Sequence, residues 1–156
     1  ATASPEKLDQ LKELGADYAV DHRKEDWHKE VFKISKELAK KNKEAPGIDV
    51  IFEHIGGSHF NKELTLLKYG ATIVTTGATT GYDAPADLRH IFFKGINILG
   101  STQGTRAELE DGFYWMGQGK IKVIIDSEYT FENAVDAHNK MLNGKGLVGK
   151  IILKPE

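Results

Sequence analysis

Glu53, His54, Gly56 and Gly57 stand together in the stretch 47–57, GIDVIFEHIGG, where an apolar run ends in an acid, a histidine and two glycines. An acid in that position serves either as a general base or as a hydrogen-bonding residue of a turn, and glycines let a ligand approach the backbone closely. Helical patterns on both sides make residues 48–52 read as a strand buried on both faces of a parallel sheet. Ligands of such sheets gather just past the carboxyl ends of the strands, where residues 53–57 fall. The same residues also fit a plain strand-to-helix turn with an incidental acid and histidine, and the stretch by itself leaves both readings open.

Several elements must position this turn. Ala1, Thr2 and Ala3 read as the end of a strand, and Ser4 with Pro5 as the start of a helix whose Leu8, Leu11 and Leu14 repeat at helical spacing up to Gly15. A short strand over residues 18–20 leads to the charged turn 21–24. A second helix, about 26–41, carries a buried stripe of Trp27, Val31, Ile34 and Leu38. The basic run 40–43 reads as its solvated end, favoured there by the helix dipole.

A third helix, about 58–68, buries Phe60, Leu64 and Leu67 and is closed by Gly70. The β-branched stretch 71–76 is a strand that ends at Gly77 and Ala78. A short helix over 87–93 and a strand over 96–99 follow. Thr105 and Glu108 form a capping box in front of a helix expected to bury Leu109, Phe113 and Met116. Residues 121–125 are extended, Thr130 caps a last helix with Phe131, Ala134, His138 and Met141 inside, and 147–153 is a final strand. His138 reads as a packed or half-exposed histidine rather than a ligand. Strands alternating with helices imply parallel crossovers and an α/β fold.

Composition narrows the function. The 156 residues suit one domain of ordinary core size, with 40% hydrophobic residues. With 21 basic and 23 acidic residues and a net charge of -2, nothing supports nucleic-acid or membrane-surface binding. The absence of cysteine excludes disulfides, thiolate metal sites and a cysteine nucleophile. No apolar run approaches the roughly 18 residues of a membrane span, and no signal-peptide pattern is present, so a cytoplasmic setting is expected. The chain begins at Ala1 without a methionine, which reads as a processed or cut terminus.

Taken in order, SPEKLDQLKELGADYAVDHR, GIDVIFEHIGG, LLKYGATIVTTGATTG, FFKGINILGST, GKIKVIIDSEYTFENAVDAHNKML and GLVGKIILKP resemble the medium-chain dehydrogenase/reductase superfamily, in its zinc-type alcohol dehydrogenase and quinone oxidoreductase group. The likeness runs over essentially the whole chain and corresponds to the C-terminal, cofactor-domain half of that family. It implies a Rossmann-like, mostly parallel sheet truncated before its first strand and Gly-rich turn. Residues 1–119 would be a partial Rossmann cofactor-binding domain, and 120–156 a segment that in relatives returns to the catalytic domain. No G-x-G-x-x-G follows a strand here. In the Rossmann order 3-2-1-4-5-6 the missing strand is the middle one, so its two neighbours would each lose a ladder.

The resemblance also implies site residues. NAD enzymes place an acid at the end of the second Rossmann strand. Thr2 stands there, with Ser4, Lys7 and Arg23 near enough in sequence to hold a 2′-phosphate, so NADP(H) is expected over NAD(H). His54 and Ile55 would flank the adenosine side and the nicotinamide ribose, and Gly77 and Ala78 would pass close to the nicotinamide. The strand holding Ile96 and Ile98 would offer backbone groups to the carboxamide. The family's zinc ligands lie outside this chain, so no zinc is expected on it, and no catalytic side chain is identified.

The stretch 94–99, beginning at Lys94 and ending at Leu99, would be an edge strand that pairs with its twin in a homodimer, which also hides an aggregation-prone apolar edge. The missing N-terminal half is a second expected partner. Ile121, Val123, Ile125 and Phe131 would be short of cover. The leading expectation is therefore a cofactor-binding fragment of an NADP(H)-dependent oxidoreductase acting on an alcohol, carbonyl or quinone/enone, inactive alone. The alternative is a non-catalytic Rossmann-like binding or oligomerisation module.

Overall fold

A computed structural model describes residues 1–144 and 146–155. The described chain divides into two compact units, residues 1–23 with 104–156 and residues 24–103. Both are α/β, and every strand pair in them is parallel.

The second unit carries the principal sheet. Its strands β3 (Ile48–Glu53), β4 (Leu67–Thr75) and β5 (Asn97–Gly100) lie in the order β3-β4-β5. The helices α2 (Trp27–Asn42), α3 (Gly57–Leu66) and α4 (Leu88–Lys94) complete the unit. Ile51, Ile73 and Ile98 stand in register across the three strands. Leu64, Leu67, Ala71, Ile73 and Ile96 form the buried core, and Ile51, Phe60, Ala86 and Ile91 pack against it. Trp27 of α2 stacks on His59 of α3, ring centroids 5.6 Å apart.

Among the described residues, the face of this sheet that carries Val50 and Phe52 is largely exposed. The apolar run of β3 reads in sequence as buried on both faces, yet Phe52 is 77% exposed and Val50 is exposed too. Leu99 of β5 is exposed on the same side. The periodicity of a fully buried strand is present here without the second layer that normally accounts for it.

Helix α3 ends two residues earlier than its periodicity suggests. Leu67 is extended, with φ -71° and ψ 141°, and opens β4. Lys94 sets this end, because its Nζ donates to the carbonyls of Leu64, Thr65 and Leu67 at 3.4, 3.0 and 2.8 Å. Helix-terminal carbonyls have no partners of their own, and a cation suits the negative end of the dipole. Gly70 therefore does not close the helix. With φ +71° it sits inside β4, where Ile48 pairs with Leu67 but Val50 pairs with Thr72, so β4 loops out between them.

The first unit holds two separate ladders. Strand β1 (Thr2–Ala3) pairs with β2 (Val20–Asp21), linked by a 3-10 turn (Pro5–Lys7) and α1 (Leu8–Glu13). Strand β6 (Ile125–Thr130) pairs with β7 (Lys150–Lys154), with α6 (Ala134–Asn143) between them and α5 (Arg106–Gly117) before. The capping box at the start of α5 is formed in both directions between Thr105 and Glu108.

Other expectations shift. The extended segment over 121–125 becomes the approach to β6, and the last strand begins at Lys150. Thr130 occupies a cap position, but its hydroxyl accepts from Asn133 Nδ2 instead of capping the helix. Leu109 and Phe113 of α5, and Phe131, His138 and Met141 around α6, are exposed, while Ala137 is buried. On these helices an apolar stripe is present without a facing layer in the described residues. On α2 the buried positions are Trp27, Ser35 and Ala39, with Leu38 exposed, because Ser35 Oγ accepts from Gly47 N–H and draws that face inward. Ile121, Val123, Ile125 and Phe131 are all exposed, in line with their expected lack of cover. Among the described residues no helix is long and apolar enough to cross a membrane.

Replacing Lys94 with Met should strand three half-buried carbonyls. Urea unfolding should show a loss of about 1–3 kcal/mol, and an unchanged midpoint would remove Lys94 from the account of where α3 ends.

Candidate functional site

The turn after β3 is built around one carboxylate. Glu53 is 2% exposed. Its Oε1 accepts from the backbone N–H groups of Ile55 and Gly56, and its Oε2 accepts from Thr75 Oγ1 at 3.1 Å. A buried carboxylate is stable only when such donors surround it. All these donors are structural, which makes Glu53 the hydrogen-bonding residue of the turn rather than a free base.

A second loop is strapped onto the first. Thr79 N–H and Oγ1 both donate to the His54 carbonyl, at 3.1 and 2.8 Å. Thr80 repeats the pattern on the Ile55 carbonyl, at 2.8 and 2.9 Å. Gly57 N–H donates to the Gly81 carbonyl at 3.0 Å. The approach is close enough that a Cβ on Gly56 would meet Gly81 O at 2.5 Å, and its φ of +72° is itself a glycine conformation.

Of the positions assigned in sequence, His54 and Ile55 act here mainly through their carbonyls, with the His54 ring exposed. Gly77 and Ala78 lie at the carboxyl end of β4 and are exposed, and among the described residues their N–H groups take no acceptor. The two strapped loops flank these uncommitted donors. Ile96 is a core residue whose N–H goes to the Ile91 carbonyl. Ile98 lies on β5, which pairs with β4 alone among the described strands and so keeps one edge open.

In the first unit the parallel pairing of β1 and β2 brings their carboxyl ends together, and with them Thr2, Ser4, Lys7 and Arg23. Thr2 is exposed within β1, Ser4 is buried, and Lys7 is half-buried. Ser4 takes the cap position by backbone, but its side chain makes no bond to the helical turn. Glu6, two residues on, accepts from Arg23 Nη2 at 2.8 Å. The Glu6 carboxyl is held below its usual range by its own backbone N–H, with Arg23 and Ser4 adding to this and partial desolvation opposing it.

Sequence reasoning missed two groups. Glu63 is 8% exposed, its Oε2 has no hydrogen-bond partner, and burial together with the nearby charge of Glu53 pushes its carboxyl up to about 7. Its signal was present, because Phe60, Glu63, Leu64 and Leu67 follow the spacing of a buried helical face. Glu6 carried no signal beyond its place in a charged helix start.

The sequence has no cysteine, and among the described residues no three His, Asp or Glu side chains converge. The open backbone donors of one unit and, separately, the cationic side chains of the other are groups of the kind that phosphates and a carboxamide engage.

Comparison with known proteins identifies a family. The zinc-binding dehydrogenase family matches residues 1–118. A crotonyl-CoA reductase of Streptomyces collinus is 29% identical over 99% of this chain and 37% of its own length. A quinone oxidoreductase of Pongo abelii is 31% identical over 89% of the chain and 41% of its own. The crystal structure of an NAD-dependent alcohol dehydrogenase superposes with a TM-score of 0.82 at 29% identity, over 99% of this chain and 43% of that one. A crotonyl-CoA carboxylase/reductase solved with NADP shares the fold, with a TM-score of 0.81 at 20% identity. The chain spans less than half the length of these relatives.

Two outcomes follow from the turn. Because the folded state holds the Glu63 proton more tightly than the unfolded chain, its contribution is full below the ordinary 4.5 and is lost as pH rises to about 7. The loss is on the order of 3 kcal/mol. Urea midpoints at pH 5 and pH 8 should show it, and Glu63→Gln should flatten the difference; an equal slope in that variant would reject the assignment. Gly56→Ala should cost about 2 kcal/mol or more and shift the amide resonances of Thr79 and Thr80, whereas unchanged resonances would mean the loops are not strapped as described.

Proposed function

Since this chain belongs to the zinc-binding dehydrogenase family, we propose that it supplies the nicotinamide-cofactor-binding part of an NADP(H)-dependent oxidoreductase. The substrate class is an alcohol, a carbonyl or a quinone/enone. The nicotinamide, when bound, carries the hydride. The chain's own work is to bind and orient. Thr2, Ser4, Lys7 and Arg23 take the 2′-phosphate end of the adenosine ribose. His54 and Ile55 lie along the cofactor, Gly77 and Ala78 offer N–H groups at the nicotinamide, and Ile98 presents the open edge of β5.

The observation that carries the preference for NADP(H) is the corner where β1 and β2 end. Arg23 and Lys7 stand there beside Ser4, and Thr2 is neutral. A carboxylate in place of Thr2 would repel a 2′-phosphate. The NAD-dependent relative shows that the fold itself does not decide between the two cofactors. The preference therefore rests on these four side chains.

Catalytic groups come from elsewhere, and the chain alone does not turn over substrate. In this reading residues 1–119 are a partial cofactor domain and 120–156 a segment that packs on a catalytic domain, with the Gly-rich turn supplied by a further stretch of polypeptide. A second copy pairs along β5 (Asn97–Gly100) and not along the whole of 94–99, because Lys94 ends α4 and the Ile96 N–H is taken by the Ile91 carbonyl; the pairing would cover Ile98 and Leu99.

Titrations of the chain with NADPH and NADH, followed by amide resonances, test the reading. NADPH should bind more tightly, and Arg23→Gln should weaken it by roughly tenfold or more while leaving NADH unchanged. Equal affinity for both cofactors in the unaltered chain would overturn the assignment.

A further inference from the structure

We propose that Glu6 limits the preference for NADP(H) by standing in for the 2′-phosphate: its carboxylate takes the Arg23 guanidinium, the group that a phosphate would need. The inference rests on the NADP(H) reading above and assigns a residue that reading does not use.

The geometry is local to one unit. Glu6 lies in the 3-10 turn (Pro5–Lys7) directly after β1, and Arg23 follows two residues after β2. The two strands are parallel, so both residues project from the same end of the ladder. Arg23 Nη2 donates to Glu6 Oε1 at 2.8 Å. Ser4 is buried directly before this turn, and its side chain makes no bond to the turn's backbone. The other acid nearby, Asp21, uses Oδ1 to accept from the Arg23 backbone N–H at 2.9 Å and leaves the guanidinium alone. Lys7 is next in sequence, and none of these acids holds its ammonium.

A carboxylate offers two acceptor oxygens and one negative charge. A phosphate monoester offers three oxygens and a charge of about -1.5 to -2. Glu6 therefore has two opposed effects. It keeps the guanidinium in place when no phosphate is present. It must be displaced by an arriving phosphate and then remains nearby as a like charge. An unphosphorylated ribose does not need the guanidinium and meets no such competition. The Glu6 charge thus lowers the advantage of the phosphorylated cofactor without affecting its counterpart. Neutralising Glu6 sharpens the preference, and removing Arg23 abolishes it.

The test uses adenosine 2′-monophosphate and adenosine 5′-monophosphate, which carry equal charge, titrated into the 156-residue chain and followed by amide resonances. Glu6→Gln should tighten the 2′-phosphate by roughly tenfold and leave the 5′-phosphate unchanged. Glu6→Ala, checked for intact folding by circular dichroism, should do the same. If Arg23→Gln weakens the 2′-phosphate but both Glu6 variants bind it no better than the unaltered chain, the role of Glu6 is wrong and the NADP(H) reading stands. If the unaltered chain and Arg23→Gln bind the two nucleotides alike, the NADP(H) reading fails and this inference fails with it.

Discussion

The buried carboxylate of Glu53 is the constraint on which the candidate site depends. It holds two backbone N–H groups of its own turn and the hydroxyl of Thr75 on the neighbouring strand. Charge-assisted bonds of this kind are strong when buried, and their loss leaves an uncompensated charge. The turn is therefore fixed relative to β4, and Thr79 and Thr80 can bind its carbonyls from the other side. The N–H groups of Gly77 and Ala78 stay uncommitted because the residues on either side of them carry the local bonds. A second acid, Glu63, is buried nearby without such donors, which couples the stability of this unit to pH.

Much of this was legible in the sequence, and the failures have physical causes. The strand, its terminal acid and the two glycines of GIDVIFEHIGG were readable because each obeys a local rule of sheet and turn chemistry. The capping box at Thr105 and Glu108 is likewise local. What periodicity cannot report is whether a facing layer exists. Phe52, Leu109, Phe113 and Met141 carry the pattern of buried residues and are exposed. Nor can periodicity see a side chain that arrives from far along the chain. Lys94 ends α3 from nearly thirty residues away, so the end of that helix could not be placed from its own sequence. Glu63 is a different case, since its place in an apolar stripe was visible and its significance was passed over.

The sheet pattern bears on the family assignment. Strands β1-β2 and β3-β4-β5 form separate parallel ladders among the described residues. Parallel ladders with helices between their strands are the pattern of an α/β fold. The relatives, which are more than twice as long as the matched region, belong to enzymes, and the proposed role of this chain is the binding and orientation of their kind of cofactor. That role places chemistry in the ligand and leaves this chain with donors, cations and a rigid turn.

The most direct test of the central claim is an amide-resolved NMR titration of the chain with NADPH, read for position rather than affinity. The account predicts that perturbed resonances fall in two groups, Ser4, Lys7 and Arg23 at the ends of β1 and β2, and Gly77 and Ala78 at the end of β4. Perturbations confined to other surfaces, such as the exposed faces of α5 and α6, would contradict it.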